Sequence, residues 1–221
     1  MLKDRILNLF FPPKCVLCGQ LLNQNQNDLC TQCRTDTEDF RKANKNISFV
    51  AGWTALWYYS DNVRISMLRY KFYNRQSYGS IYGKLLAMKL QNTPMGHYDI
   101  LTWVPISSRR KWKRGYDQVQ LIAQSTGHEL GTPAVATLHK IRHTSPQSRL
   151  SDASHRRANI LGAYEVPNPS LIAGKRILLL DDIITTGSTV SECAKMLLTA
   201  GAKEVYCAAI AAPHHKNNKR R

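Results

Sequence analysis

The chain has 221 residues, 43% of them hydrophobic, which suits one α/β domain with a core of its own plus a small appendage. Its 31 basic and 15 acidic residues give a formal net charge of +16. An excess of this size indicates either a polyanionic partner or a generally basic surface, and charge alone leaves both open.

The composition argues against membrane-spanning and secreted classes of protein. No apolar run approaches the ~20 residues that a transmembrane helix needs. The apolar stretch within residues 1–11 is too short and too interrupted for a signal-peptide core, and no small-residue cleavage site follows it. We therefore predict a cytoplasmic protein without a membrane span.

Two closely spaced cysteine pairs, Cys15-x-x-Cys18 and Cys30-x-x-Cys33, lie near the start of the sequence. Together they offer four thiolates to one tetrahedral Zn²⁺ and leave no open coordination position, so the predicted site is structural. A thioredoxin-type redox pair and two disulfides are the alternatives, but two evenly built pairs in a cytoplasmic chain favour zinc. A module this small cannot bury enough core alone, so we expect the metal to fold residues 1–44.

The main domain is predicted over residues 45–213, and residues 214–221 are predicted to be a basic tail. Strands and helices alternate throughout the domain, which is typical of a mostly parallel sheet with helices on both faces. The predicted strands are 53–59, 99–106, 134–138, 176–180 and 204–211, and the predicted helices are 62–73, 77–90, 115–130 and a last helix that stops at Gly201.

A dense group of cations follows the predicted strand 99–106. Five of the six residues in the 109–114 loop are basic, with Trp112 between them and Tyr116 shortly after. These cations could clamp pyrophosphate, or could follow a nucleic-acid backbone while the rings stack on bases; a solvated basic loop is the third possibility. The candidate residues for pyrophosphate or nucleic acid are Arg109, Arg110, Trp112, Lys113, Arg114 and Tyr116.

The most informative stretch is residues 178–189, where an aliphatic strand ends in Asp181 and Asp182 and a Thr/Gly/Ser turn opens a helix. Open α/β sheets bind ligands at the carboxyl ends of their strands, so these carboxylates can reach vicinal hydroxyls. The turn offers backbone N–H groups, hydroxyls and a helix N-terminus to a phosphate. The combination predicts a ribose-phosphate site, whereas an acid pair that only caps the turn is the alternative. The candidate residues are Asp181, Asp182, Thr185, Thr186, Gly187, Ser188 and Thr189.

This stretch resembles the phosphoribosyl-pyrophosphate (PRPP) loop of type I phosphoribosyltransferases. From about residue 9 to residue 211 the chain resembles the ComF/GntX family. The resemblance rests on Pro-Lys-Cys-x-x-Cys-Gly, a Val-Pro strand end, Arg-Arg-x-Trp-x-Arg-Gly-Tyr-x-Gln, and Arg-x-Thr-x-x-Gln followed by Arg-x-x-Asn. In this chain the last two motifs are Arg142, Thr144, Gln147, Arg156 and Asn159, and Lys71 matches the family's helix-end Lys-Phe, which adds it to the PRPP candidates.

That family joins a zinc ribbon to a phosphoribosyltransferase domain and is associated with natural transformation and the use of external DNA. The resemblance implies PRPP with Mg²⁺, single-stranded DNA and competence-machinery proteins as partners. Three functions stay open: a DNA-handling protein on this scaffold, an active phosphoribosyltransferase, and a PRPP sensor without turnover. No segment carries a sequence signature of the hood, the part of a phosphoribosyltransferase that recognises the base. Residues 160–170 are a candidate for the hood but have no signature for purine, pyrimidine or amine.

Two features depart from the family's pattern. Asp117 stands where the family usually carries Asn, and an acid there would weaken anion binding locally unless it pairs with Arg114. Many members also carry further cysteine pairs in the ribbon, whereas this chain has a single set of four. We therefore expect a minimal ribbon.

Overall fold

The computed structural model describes residues 12–41, 45–142 and 160–214. The predicted tail beyond His214 and four residues of the family motifs, Thr144, Gln147, Arg156 and Asn159, lie outside the described residues. In chain order the elements are α1 (Thr31–Asp36), β1 (Gly52–Tyr58), α2 (Asp61–Phe72), α3 (Tyr78–Gln91), β2 (Ile100–Trp103), α4 (Ser108–Arg114), α5 (Gln118–Leu130), β3 (His139–Lys140), β4 (Tyr164–Glu165), a 3-10 turn (Pro169–Leu171), β5 (Arg176–Ile183), α6 (Ser188–Thr199) and β6 (Glu204–Ala212).

Four strands form one parallel sheet in the order β1-β6-β5-β2. Alternate residues of β5 point to opposite faces: Leu178 and Leu180 pack with α2, α3 and α5, whereas Ile177 and Leu179 pack with α6. Burial on both faces is the reason for the uninterrupted aliphatic run in this strand. The arrangement confirms the predicted α/β fold with helices on both faces of a mostly parallel sheet.

The predicted strand 134–138 is wrong. Only Ala134 forms a bridge to Leu101 of β2. Beyond it the ladder stops, because the backbone N–H of Thr137 turns to the side-chain oxygen of Thr102 instead of a backbone carbonyl. The chain then pairs residues 139–140 with 164–165 in a separate antiparallel sheet, β3–β4.

The basic residues 109–114 form the helix α4 and not the predicted loop. Gly115, with φ of 80°, ends this helix in a left-handed conformation that favours glycine. The predicted helix 115–130 consequently begins only at Gln118. Across the parts of the chain that the structure describes, no helix has the length and apolar character that crossing a membrane requires.

The cysteine-rich module packs directly on the main domain. Val16 and Leu17 are fully buried in the same core cluster as Tyr70 and Tyr82. Residues 38–40 then run antiparallel to β1, where the N–H of Phe40 donates to the carbonyl of Leu56. The module and the domain therefore share a core. The boundary near residue 44 stays a prediction, since residues 42–44 lie outside the described ranges.

Candidate functional site

The acid pair lies at the carboxyl edge of the parallel sheet. Asp181 and Asp182 are the sixth and seventh residues of β5, which β6 and β2 flank. The C-terminal end of α2 and the N-terminal end of α5 bring Lys71 and Gln118 to the same place. The fold therefore brings four polar side chains from three elements to one end of the central strand.

Asp182 is held as a carboxylate by its neighbours. Lys71 Nζ lies 2.6 Å from its Oδ2, and Gln118 Nε2 donates to the same oxygen at 3.3 Å. Burial acts to raise the pKa of Asp182, but the Lys71 ammonium and the two hydrogen bonds outweigh it and lower the pKa below its ordinary value. Asp182 is thus an ionised acceptor at neutral pH.

Asp181 has the opposite electrostatic character. Its Oδ1 accepts from the backbone N–H of Asp182 at 2.8 Å. Burial, and then the negative charge of Asp182, raise the pKa of Asp181 to about 8. Adjacent carboxyls with pKa values displaced in opposite directions are typical of functional sites. Asp181 therefore holds its proton more tightly than Asp182 does.

The turn after β5 has the form of a phosphate cradle. Gly187, with φ of 77°, precedes α6, and a Cβ there would lie 2.9 Å from the side chain of Ile47, so only glycine fits. Thr186 Oγ1 and Ser188 Oγ are 2.9 Å apart and share a hydrogen bond. Lys45 Nζ donates to the carbonyl of Thr186 at 2.6 Å and adds a cation to the turn. Thr185 is exposed, and Thr189 lies in the first turn of α6.

A lysine that no sequence motif singles out interacts electrostatically with the acid pair. Lys140 on β3 donates to the hydroxyl of Tyr164 on β4 at 3.1 Å. Burial, and then the charge of Arg110, lower the pKa of Lys140 to about 8, while Asp181 acts to raise it. The β3–β4 pair thus brings Lys140 within electrostatic reach of Asp181, and β4 lies inside the hood candidate 160–170. Two-residue strands leave no periodic signal, so this pair could be found only through its tertiary contacts.

α4 presents a basic and aromatic surface next to this site. Arg109, Lys111 and Lys113 are exposed, and Trp112 has 88% of its surface exposed. Arg114 is half-buried and acts electrostatically on Asp182, which brings α4 within reach of the acid pair. Two of the predicted cations, Arg110 and Arg114, therefore lie within electrostatic reach of Asp182.

The stacking role predicted for Tyr116 is wrong. Its side chain is buried, and its hydroxyl donates to the backbone carbonyl of Tyr70. The exposed aromatic ring beside α4 is instead that of Phe72, which is 63% exposed, and Tyr73, 72% exposed, follows it at the end of α2. The guanidinium of Arg114 lies 5.2 Å from the centre of the Phe72 ring, and this contact connects α4 with the end of α2. We call Arg109, Lys111, Trp112, Lys113, Arg114, Phe72 and Tyr73 the α4 surface.

Asp117 is a helix cap, which explains the departure from Asn. Its Oδ1 accepts from the N–H groups of Val119 and Gln120, and its Oδ2 accepts from that of Ile106. Asn and Asp cap a helix N-terminus about equally well. Asp117 therefore turns inward, and its side chain serves the start of α5 instead of the anion surface.

The four cysteines Cys15, Cys18, Cys30 and Cys33 converge on one point. Their sulfur atoms all lie within 4.8 Å of one another, and three of the four side chains are buried. The first pair lies on a turn closed by Gly19, with φ of 82°, and the second pair spans the start of α1. Four thiols on two such knuckles are the donor set of a closed structural metal site. Cys193 and Cys207 are buried in the main core, as the apolar patterns around them indicate.

Comparison with known proteins gives the same two parts. A family model for the phosphoribosyl transferase domain matches residues 110–221, and one for a double zinc ribbon domain matches residues 6–44. Competence protein F of Haemophilus influenzae is 27% identical over 219 residues, which are 89% of this chain and 95% of that protein. DNA utilization protein YhgH of Salmonella typhi is 30% identical over 204 residues, 87% of this chain and 88% of that protein.

Among solved structures, glutamine PRPP amidotransferase from B. subtilis is 23% identical, with a TM-score of 0.43 over 63% of this chain and 30% of that one. The two relatives, in contrast, match this chain over nearly their whole lengths. The chain therefore belongs to the ComF/GntX family, in which a zinc ribbon precedes a phosphoribosyltransferase domain.

Proposed function

We propose that this chain binds PRPP with Mg²⁺ at the carboxyl edge of β5 and single-stranded DNA on the α4 surface, in the cytoplasmic uptake and use of DNA during natural competence. The observation that carries the proposal is the acid pair and phosphate-type turn on one strand end, with the exposed basic helix beside them. Relatives named as a competence protein and a DNA utilization protein support this role. Competence-machinery proteins are the candidate protein partners.

The two halves of the ribose-phosphate site have separate tasks. Asp181 and Asp182 accept hydrogen bonds from the ribose hydroxyls, and the 185–189 turn receives the 5′-phosphate on N–H groups and hydroxyls at the N-terminus of α6. Gln118 adds a further acceptor, because its Oε1 is buried and has no hydrogen-bond partner in the described structure. A ligand or a water molecule in the site would satisfy this oxygen.

The pyrophosphate needs cations, and the site is surrounded by them. Lys71 lies at the acid pair, and Arg110 and Arg114 act on Asp182 from α4. Mg²⁺, a hard cation that prefers oxygen ligands, would be held mainly by the diphosphate and would supply the remaining charge neutralisation. The residues present fit this group because carboxylate and phosphate oxygens are the ligands that Mg²⁺ takes in such sites.

The α4 surface suits a single strand better than a duplex. Its exposed rings, Trp112 on α4 and Phe72 and Tyr73 at the end of α2, can each stack on an unpaired base, while the flanking cations meet phosphates. Duplex DNA offers no open base faces to such rings. The formal charge of +16 adds a long-range attraction for any polyanion.

We also propose that Zn²⁺ is the metal held by the four cysteines. The donor set is all sulfur, the cluster is largely buried, and no position is left for a reacting group, so the metal acts on folding and takes no part in chemistry.

An active phosphoribosyltransferase is the second candidate, and Lys140 favours it. A lysine whose pKa is lowered to about 8 beside Asp181 can accept a proton from an acceptor amine or hydroxyl near neutral pH. The acceptor would attack C1 of the ribose while pyrophosphate departs with the electron pair of the C1–O bond. Positioning by the acid pair and charge stabilisation by the surrounding cations would supply the rate. A PRPP sensor would bind in the same way without this step.

Calorimetry of the purified protein with PRPP and Mg²⁺, with and without an oligo-dT strand, tests the proposal. We expect both ligands to bind, and we expect each to weaken the other if Arg110 and Arg114 serve both. Pyrophosphate release in the presence of candidate acceptors separates the enzyme from the sensor. A wild-type protein that binds neither PRPP in millimolar Mg²⁺ nor oligo-dT would contradict the proposed function.

A further inference from the structure

The turn that holds the first cysteine pair, residues 15–18, is hydrogen-bonded to α2 through its backbone carbonyls. Ser66 Oγ donates to the carbonyl of Val16, and Arg69 Nη1 donates to the carbonyl of Leu17 at 3.1 Å. Arg69 also lies over Gly19, where a Cβ would be 3.2 Å from Nη1. Val16 and Leu17 are fully buried. One face of α2 is therefore fixed to the segment that holds the first two cysteines.

The residues that follow Arg69 on α2 contact the acid pair and its surroundings. Lys71 Nζ lies 2.6 Å from Asp182, and the hydroxyl of Tyr70 donates to the carbonyl of Gln118 at 2.6 Å. Gln118 in turn donates to Asp182. The helix ends at Phe72, one residue beyond Lys71. Because last turns of helices fray unless something holds them, the position of Lys71 depends on tertiary contacts.

We propose that Arg69 is a positioning residue, which uses the Leu17 carbonyl of the ribbon as a fixed point and holds the last turn of α2 so that Lys71 meets Asp182. The ribbon then has a task beyond its own fold: it sets the geometry of the ribose-phosphate site. An effect of Arg69 on PRPP affinity rests on the proposed PRPP binding. An effect of Arg69 on the position of Lys71 rests on the contacts alone. The coupling runs from the Leu17 carbonyl through the Arg69 side chain and the backbone of the last turn of α2 to Lys71 and Asp182.

The first test needs no ligand. Arg69→Met keeps an apolar stem but removes the donors to Leu17, and carboxyl NMR then follows the titration of Asp182. Lys71 keeps the pKa of Asp182 low against the effect of burial, so release of Lys71 should move this titration to higher pH. The charged and titratable groups that face Asp182 are Lys71 and Tyr70 on α2, Arg110 and Arg114 on α4, and Asp181 on β5.

Lys84→Met is the matched control. Lys84 also joins the domain to the ribbon, through a contact of 2.9 Å with Asp28, but it lies on α3 and not on the helix that holds Lys71. A loss of ribbon contacts in general would lower the thermal midpoint in both variants. We expect only Arg69→Met to move the titration of Asp182, with zinc content unchanged in both.

PRPP affinity is the second readout. We expect Arg69→Met to weaken PRPP binding about tenfold, within the range of effects for residues linked in one hydrogen-bond network. Arg69→Lys keeps one donor and should recover part of the affinity. It also serves as the test variant if Arg69→Met does not fold, because a smaller shift in the same direction is then expected.

The outcomes separate the positioning role from the ligand. If Asp182 titrates as in the wild type when Arg69 is replaced, or if Lys84→Met moves it equally, Arg69 does not position the site. If the titration moves but the wild-type protein does not bind PRPP, the positioning role stands and the ligand assignment fails.

Discussion

Lys71 Nζ lies 2.6 Å from the carboxylate of Asp182, and this contact joins the end of α2 to the end of the central strand. The two residues are far apart in the sequence, and each was a candidate for the same ligand. Their contact explains why Asp182 and Asp181 differ: one carboxylate has a cation beside it, and the other has a carboxylate. Several predictions about the site depend on this asymmetry.

The acid pair should respond to pH with opposite signs. The folded-state pKa of Asp181 is raised, so its ionisation opposes folding, and the free energy of unfolding falls as pH rises from its unfolded value near 4 toward 8. Asp181→Asn should therefore stabilise the protein by a margin that grows between pH 5 and pH 8. The folded-state pKa of Asp182 is lowered, so its contribution is present above the unfolded pKa and is lost as pH falls through the folded one.

Asp182→Asn should correspondingly destabilise the protein at neutral pH, because the Lys71 ammonium loses the carboxylate beside it. Thermal unfolding of both variants at several pH values checks these signs. Shifts of the same sign for the two variants at pH 8 would contradict the assignment.

Replacing both acids should abolish PRPP binding without unfolding the domain. Asp181→Ala with Asp182→Ala removes the acceptors for the ribose hydroxyls, and each charge-assisted hydrogen bond lost costs about 1.5–3 kcal/mol. Calorimetry with PRPP and Mg²⁺ measures the loss, and circular dichroism checks the fold. Glu129→Ala is the control, since this exposed acid lies at the far end of α5. A double variant that still binds PRPP with wild-type affinity would exclude the acid pair as the ribose site.

The α4 surface should give DNA binding a localised salt dependence. For a single strand, log affinity falls with log salt at a slope of about 0.7 per neutralised phosphate. Arg109→Ala with Lys113→Ala should flatten this slope, whereas Trp112→Ala should cost about 1–3 kcal/mol at an unchanged slope, because stacking releases no counterions. Fluorescence anisotropy with a labelled oligonucleotide measures both quantities.

The control pair for this experiment is Lys175→Ala with Lys203→Ala. Both lysines are exposed, and they precede β5 and β6 at the opposite edge of the sheet. If this pair flattens the slope as much as the pair on α4, the basic charge acts as a diffuse surface and no localised site exists.

The stacking role predicted for Tyr116 should belong instead to the exposed Tyr73. Tyr116→Phe removes the buried hydroxyl that donates to Tyr70, which should lower the stability of the domain by about 0.5–1.5 kcal/mol and leave DNA affinity unchanged. Tyr73→Ala, on an exposed ring, should weaken DNA binding and leave the thermal midpoint almost unchanged. A large loss of DNA affinity in Tyr116→Phe would contradict the buried role.

Purified protein should carry one Zn²⁺ per chain, and Cys33→Ser should release it. Because Val16 and Leu17 belong to the main core, loss of the metal should lower the thermal midpoint of the whole domain and not only unfold the ribbon. Elemental analysis together with calorimetric unfolding, before and after treatment with a chelator, checks both statements. Protein prepared without chelators that contains no zinc would refute the metal assignment.

Local patterns were sufficient for the elements whose chemistry is contiguous in the chain. The aliphatic run of β5, its acid pair and the glycine-containing turn follow one another, so the strand, its polar end and the turn into α6 could all be inferred from periodicity and turn chemistry. The cysteine pairs were equally readable because their ligand spacing is local.

Tertiary structure decided what depends on contacts between distant segments. It buried Tyr116, brought Phe72 to the surface beside α4, and placed Lys140 within electrostatic reach of Asp181 on a two-residue strand with no periodic signal. It also paired Lys71 with Asp182, which sets the charge of the acid pair. Burial and Coulomb interactions depend on distances in space, so residue spacing in the sequence could not supply them.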